Sequence, residues 1–397
     1  EEGEAMTETS GALVGVRIVD LTDERGIYGA KLLADLGADV VRPEPPGGDP
    51  LRLRGPHREG TPDGCSSLWH AFFASNRRFF CVDLTDDERC KQLQNIVEHA
   101  DILLVCDGAF GFEEIDLERA REKSPKLVVV NTSSFGTEGP WKDYLAPDLV
   151  AGAFGGSVGT TGDKDTPPLK TFGELNFMLS GAYTAVAALS ALYSARETGA
   201  GQVVDVPVNA CIASCLEHVL MFVWYNERMM FATGPVVPRQ GSLHWARTYV
   251  VMQAKGGSIM VTPTPDMMAQ LMWLVEEDLH EDLLDDSYME PGNHRAFVTK
   301  LMAILRKFVG MKDVEELFFE AQERHSPYGW VLPIDKVAAN PQLEARDWWV
   351  PYRVGDVSTK GPGAPYRFSE TPWSLGPYDG PGADSAVALA EIGWGEN

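Results

Sequence analysis

The sequence predicts an α/β protein, a parallel, doubly wound sheet followed by a smaller β-containing unit. Three observations carry that expectation. Short apolar runs alternate with helix-patterned stretches from residue 16 to about residue 210, as in strands joined by crossover helices. A hairpin pattern turning at Lys255, Gly256 and Gly257 marks a second unit that begins near residue 235. At 397 residues, the chain is long for one domain and ample for two.

Taken in order, "VRIVDLT" (16–22) reads as a buried strand, "YGAKLLADLGA" as a helix ending near Gly37, and "DVVRPE" as a second strand stopped by Pro43 and Pro45. The loop between them, "TDERGIYGAK", lacks GxGxxG, so a dinucleotide fingerprint is absent; Gly26 and Gly29 are read as turn residues. The alternation continues with "FFCVDLT" as a strand, "DDERCKQLQNIVEHA" as a helix, "DILLVCD" as a strand, a helix around 112–123, and "KLVVVNTSSFG" as a strand. "ELNFMLSGAYTAVAALSALYSARE" (174–197) is a strong helix whose small residues allow close packing, closed by Gly199 and Gly201. "QVVDVPV" adds a strand, and an apolar helix runs from about 208 to 227. In the second unit "TYVVMQAKGGSIMVTP" forms the hairpin, with helices at 264–285 and 294–309. Beyond 345 the chain reads as loop-rich, and no internal repeat is present.

Composition excludes several classes. A net charge of −24 argues against nucleic acid, whose phosphates demand clustered Lys and Arg. The six cysteines, Cys65, Cys81, Cys90, Cys106, Cys211 and Cys215, include no CxxC pair and suit reduced, buried thiols in the cytoplasm. Cys211 and Cys215 have i, i+4 spacing but no nearby His or Cys, so no metal is expected. The start of the chain is acidic and lacks a signal peptide's pattern. No stretch reaches the ~18 uninterrupted apolar residues of a membrane span, so a soluble protein is expected.

Two features carry possible chemistry. Between residues 40 and 80 stand six arginines, Arg42, Arg52, Arg54, Arg58, Arg77 and Arg78, against four acids. Guanidinium forks suit a small polyanion, although an ordinary solvated surface would read the same way. Asp148 precedes a run of small residues in "LAPDLVAGAFGGSVGTTG". It can be a helix N-cap after Pro147. It can also be a carboxylate nucleophile, with Gly152, Gly155 and Gly156 leaving room for a bulky ligand.

The order of five motifs, "LLADLGADVVRPEPPGGDPLR", "NRRFFCVDLTDDE", "FGTEGPWKDYLAPDLVAGAFGGSVGTTG", "LSALYSARETGAGQVVDVPV" and "IDKVAANPQLEARDWW", resembles the family III CoA-transferases, the CaiB/BaiF group, over roughly residues 14–375. The resemblance implies a Rossmann-like large domain formed by both chain ends (11–230 and 335–397, with linker helices), a smaller α+β domain (235–334), and a dimer interlocked like links of a chain. It also implies CoA transfer from an acyl-CoA to a carboxylic acid through a covalent aspartyl-CoA thioester. The family's catalytic aspartate falls on Asp148. Its CoA contacts fall on Arg42 in "DVVRPE", on Asn76, Arg77 and Arg78 in "NRRFFCVDL", and on Phe135 and Gly136 in "FGTEGP", with Gly139 in the same turn. Coenzyme A would be a substrate, with no tightly bound cofactor.

The chain departs from the family pattern at three loops. "VCDGAFG" puts Asp107 where an acid would repel phosphate, "DERGIYG" around Ile27 lacks the usual Gly-Pro turn, and the glycine-rich gate is reduced to "RQGSLHW" around Gly241. Two alternatives follow: an acyl-CoA racemase or epimerase, disfavoured by Pro147 where that branch often has His, and a CoA-binding partner subunit of a heteromeric transferase. His70, His218 and His244 are the candidate bases for the former, and a lone His in an apolar helix, such as His218, is more often structural. "HVLMFVWYNERMMF" (218–231) would line a pocket for a large apolar acid or simply pack in a core.

Overall fold

The computed structural model describes residues 11–397 except 164, 217–219, 221–238, 240–247, 249, 264–265, 291, 355, 377, 385–393 and 395–397. His218, His244, Gly241 and the 218–231 segment lie outside the described residues, apart from Leu220. The chain divides into two compact units, one made of Glu1–Ser157, Lys170–Glu217 and Pro341–Asn397, the other of Val158–Leu169 and His218–Asn340.

The first unit is built on six strands, β1 (Arg17–Leu21), β2 (Asp39–Glu44), β3 (Arg77–Cys81), β4 (Ile102–Val105), β5 (Val128–Asn131) and β6 (Val203–Asp205). They pair in the order β3-β2-β1-β4-β5-β6, and every pairing is parallel. β4 and β5 are buried along their whole length, which is why "ILLV" and "VVVN" read as unbroken apolar runs rather than alternating ones. The order reverses between β1 and β4, so the loops leaving these two strands diverge and open a crevice at their carboxyl ends.

Helices α1 (Ile27–Asp35), α2 (Leu68–Phe73), α3 (Asp87–Glu98), α4 (Leu117–Lys123), α5 (Asp148–Gly155), α6 (Ser157–Thr160), α7 (Leu175–Thr198) and α8 (Val208–Ser214) follow in chain order. Of these, α1, α3, α4 and α7 share core clusters with the strands of the sheet. α7 packs on α1 through a glycine pair: a Cβ on Gly29 would stand 2.5 Å from the Gly181 carbonyl oxygen, and one on Gly181 would stand 2.8 Å from the Gly29 nitrogen. Gly29 therefore serves a helix crossing inside α1, not a turn. Among the described residues α7 alone is long and apolar enough to cross a membrane, and half of that apolar window is buried in the protein core. Ala185, Ala188, Ala191, Leu192 and Ala195 lie in one core cluster with Ile18, Val40, Leu104 and Val130. Each large apolar side chain so buried contributes roughly 1.5–3 kcal/mol.

Two expected elements shift. β3 starts at Arg77 rather than Phe79, because Arg77 and Arg78 pair with Val40 and Val41 of β2. Beyond residue 345 the chain is not only loop: β10 (Trp349–Val354) and β11 (Val357–Pro362) form an antiparallel hairpin. A segment from Ser374 to Asp384 then returns to the sheet edge, where Asp384 and Phe79 exchange hydrogen bonds of 3.0 and 2.8 Å.

The second unit has a three-stranded antiparallel sheet, β7 (Val250–Ala254), β8 (Gly257–Val261) and β9 (Gly329–Trp330). Gly256, at φ +81°, makes the expected hairpin turn. Helices α9 (Met267–Glu276), α10 (His294–Met311) and α11 (Val314–Glu323) belong to the same unit, and side chains from all three lie in its core with Trp273 and Phe308. α9 is shorter than the 264–285 stretch the pattern suggested, ending where Asp278 turns to φ +55°. Short helix α12 (Ile334–Ala338) follows, and α13 (Pro341–Ala345) already belongs to the first unit.

Candidate active site

Asp148 opens α5, but it does not cap that helix. Pro147 holds the N-cap position, and Asp148 is the first helical residue. Its buried carboxylate caps a different helix: the Phe177 amide, in the first turn of α7, donates to Oδ1 at 3.1 Å. Asn176 Nδ2 donates to Oδ2 at 3.0 Å and to the Asp148 main-chain oxygen at 3.3 Å. Ser157 Oγ donates to Asn176 Oδ1 at 3.0 Å, which fixes the amide with its NH2 toward the carboxylate. Lys170 Nζ lies 3.7 Å from Oδ2 on a side chain 38% exposed, against 6% for Asp148. The carboxylate is thus held by two neutral donors with one ammonium on its open side.

The nearby glycines have a packing role. A Cβ on Gly155 would fall 2.6 Å from Ile212 of α8, and Gly156 closes α5 in the left-handed conformation at φ +96°. Room at Gly155 and Gly156 is taken by α8 and Leu216 rather than left for a ligand.

The arginines of the 40–80 segment divide by the face they occupy. Arg42 is buried in an ionic cluster, with Nη1 2.9 Å from Asp20, Nη2 2.5 Å from Asp49, and Nη2 donating to the Thr22 oxygen at 2.8 Å. Arg77 is buried as well and donates to Asp20 Oδ2 at 3.1 Å and to the carbonyls of Phe73, Ser75 and Ile27. Burial alone would raise the Asp20 carboxyl, yet Arg42 and Arg77 outweigh it and hold Asp20 below the usual carboxylate range. Arg78, one residue along β3, points to the other face; it forks onto Asp39 at 2.9 and 2.6 Å and keeps 29% of its side chain exposed. Asn76, at φ +59°, bonds Asp35, the Ser374 oxygen and the Gly376 amide, which pins the returning C-terminal segment. Arg52 is buried on Glu44 and Tyr378, and His70 is buried with its Nδ1 2.5 Å from the Tyr378 hydroxyl.

Phe135 and Gly136 stand in the loop after β5. Gly136 takes φ +100°, and its amide donates to Ser133 Oγ at 3.0 Å. Phe135 packs edge-on to Trp141, Tyr144 and Phe154, three half-exposed aromatics, and touches the small cluster that contains Phe177. Asp107, the acid that would repel phosphate, accepts from Asn131 at 2.8 Å and lies 3.9 Å from Arg25. Arg25 also bonds Asp23, the Asp107 oxygen and Ser134 Oγ, so it bridges the loops of β1, β4 and β5 at the crevice. Ser180 of α7 donates to the Arg25 carbonyl at 2.9 Å, one helical turn beyond the amide that holds Asp148. The sequence reading did not single out Arg25, Lys170 or Asn176. Arg25 could have been found from its place in the first strand-to-helix loop; the other two have no local signal.

The sequence profile of CoA-transferase family III matches residues 13–384. The chain belongs to CoA-transferase family III. Succinyl-CoA:(R)-benzylsuccinate CoA-transferase subunit BbsE of Thauera aromatica is 30% identical over 91% of this chain and 89% of its own. Formyl-CoA:oxalate CoA-transferase of Streptomyces avermitilis is 28% identical over 97% and 96% of the two chains. Succinate–glutarate CoA-transferase of Agrobacterium fabrum is 27% identical over 96% and 95%. Among solved structures a CAIB/BAIF family protein from Brucella suis superimposes with a TM-score of 0.80, at 24% identity, over 96% of this chain and 100% of its own. As a family III member the protein is an acyl-CoA:carboxylate CoA-transferase, and CoA thioesters are its substrates.

Proposed function

We propose that this enzyme moves CoA from an acyl-CoA donor to a carboxylic acid through covalent intermediates on Asp148. The observation that carries the proposal is a buried carboxylate held by neutral donors, at the position where the resemblance puts the family's aspartate. Asp148 attacks the thioester carbonyl, giving a mixed anhydride and CoA thiolate. The thiolate attacks the aspartyl carbonyl, giving aspartyl-CoA and the free donor acid. An acceptor carboxylate runs the same steps in reverse. The thioester energy is kept only while water is excluded, which the burial of Asp148 supports.

The CoA nucleotide sits at the carboxyl ends of the parallel strands. Of the residues the resemblance assigns to it, Phe135 and Gly136, in the loop that leaves β5, are offered as direct contacts. Arg42 and Arg77, whose polar groups are engaged within the protein, shape that rim through the Thr22 and Ile27 carbonyls they hold, whereas Asn76 and Arg78 stand at the amino ends of the strands. Succinyl-CoA is the first donor to test, since two of the relatives above carry succinyl-CoA or succinate in their names, and Lys170 beside Asp148 suits an anionic acid. Six cysteines, none of them in a disulfide, fit a reducing compartment such as the cytoplasm. An uncovered apolar stripe on α7, Leu175, Tyr183, Val186 and Tyr193, fits the interlocked pairing of subunits.

The test is peptide mass spectrometry after incubation with succinyl-CoA, acetyl-CoA or formyl-CoA and trapping with hydroxylamine. A hydroxamate on Asp148, lost in Asp148→Asn together with about 10³-fold or more of the transfer rate, is the expected result. A protein that transfers CoA with no modification at Asp148 overturns it.

A further inference from the structure

Resting on the Asp148 nucleophile proposed above, we infer that the Phe177 amide and the Asn176 side chain, the latter oriented by Ser157, divide the two carboxylate oxygens into a retained oxyanion and a transferable oxygen. Each oxygen has its own donor: Phe177 N on Oδ1 at 3.1 Å and Asn176 Nδ2 on Oδ2 at 3.0 Å. Only Oδ2 also lies near the Lys170 ammonium, at 3.7 Å, on a side chain that is partly exposed. The assignment gives the incoming acyl group to Oδ2, on the side of the partly exposed lysine, and leaves Oδ1 tied to main chain that cannot withdraw.

The steps balance on this assignment. Oδ2 attacks the thioester carbon, the C–O bond forms, the C–S bond breaks, and CoA leaves as thiolate. When the thiolate attacks Cγ, the carbonyl electron pair moves onto Oδ1, where the Phe177 N–H receives the charge. Collapse breaks the Cγ–Oδ2 bond, and Oδ2 departs within the donor carboxylate, its growing charge met by Asn176 Nδ2 and the Lys170 ammonium. No proton is gained or lost. Donors at 3.0–3.1 Å, fixed before the reaction, are what oxyanion stabilisation requires.

A cap and an oxyanion hole share one geometry, and what separates them is which quantity changes when a donor is lost. Asn176 is buried and touches a reacting oxygen, so it is the group to remove. The rate of hydroxylamine-trappable adduct formation is measured in a single turnover against succinyl-CoA concentration for the wild type, Asn176→Ala and Ser157→Ala, with Tm for each. Asn176→Ala is expected to lower the saturating rate about 100-fold, with the half-saturating concentration held within about threefold. Ser157→Ala, which frees the amide to rotate and also gives up a 3.3 Å bond to the Gly152 carbonyl, is expected to lose about tenfold and remains informative if Asn176→Ala fails to fold. Adduct formation at the wild-type rate in a folded Asn176→Ala, or in Ser157→Ala where Asn176→Ala does not fold, overturns the inference; so does a loss confined to half-saturation or to Tm. Absence of any Asp148 adduct in the wild type overturns the nucleophile instead, so the two failures are distinguishable.

Discussion

Two buried aspartates, Asp20 and Asp148, show how surroundings decide what a carboxylate does. Asp20, at the end of β1, is fully buried between the guanidiniums of Arg42 and Arg77, with Thr22 donating through both its amide and its hydroxyl. Asp148 has an amide, a carboxamide and a more distant ammonium. Full charges around Asp20 bind it in place and leave no side open. Neutral donors hold Asp148 with less compensation, so its charge remains available to an electrophile.

The largest expected effect that tests this contrast is on stability. Asp20→Asn takes the carboxylate from the buried Arg77 and leaves Arg42 with Asp49 alone, and is expected to cost about 3–5 kcal/mol. Asp148→Asn, for all its effect on transfer, is expected to cost about 1 kcal/mol or less, the scale of a helix cap. Urea unfolding of both variants measures the gap, and equal losses would break the comparison.

The next effect is a pH dependence on the Asp20 side. His70 is pushed down to about 4, first by burial and then by Arg52 and Arg42, against the opposing pull of Asp49. Tyr378 also faces its ring, and Arg52 donates to the Tyr378 hydroxyl at 2.8 Å, leaving that hydroxyl's proton for His70 Nδ1. Because the folded value lies below the unfolded one, the unfolded chain takes up the proton first as pH falls. The contribution is whole above pH about 6.5 and is lost on the way down to about 4, roughly 3 kcal/mol in total. His70→Gln should flatten that slope in unfolding curves, and an unchanged slope would remove His70 from the account.

A smaller effect tests the edge of the same region. Asn76→Ala breaks three hydrogen bonds and places Ala at φ +59°, for an expected loss of about 1–2 kcal/mol. Hydrogen exchange should increase from Ser374 to Asp384 and stay unchanged at Asp148. Faster exchange at both would show that the two regions are not independent.

Much of the fold was legible in local pattern. β1, β2, β4 and β5, with α1, α3 and α7 between and after them, came from apolar periodicity. Periodicity works there because parallel strands are buried on both faces and crossover helices bury one stripe. β10 and β11 escaped because alternation in "WVPYRV" and "VSTKGP" is broken by Pro and Gly, so no run stands out. Arg77 and Arg78 were read as one motif, yet strand alternation sends one inward and one outward.

The sequence by itself determined the parallel sheet, the family and the position of the acid, because each rests on short local motifs and the order in which they follow one another. Only the tertiary structure decided which charges are already neutralised and which oxygen is held by which donor. Arg42 reads as a free phosphate ligand until the fold places Asp20 and Asp49 on it, and Asp148 reads as a cap of its own helix until α7 presents the Phe177 amide. Compensation of charge and direction of hydrogen bonds depend on partners tens of residues away, and no local pattern of the chain records them.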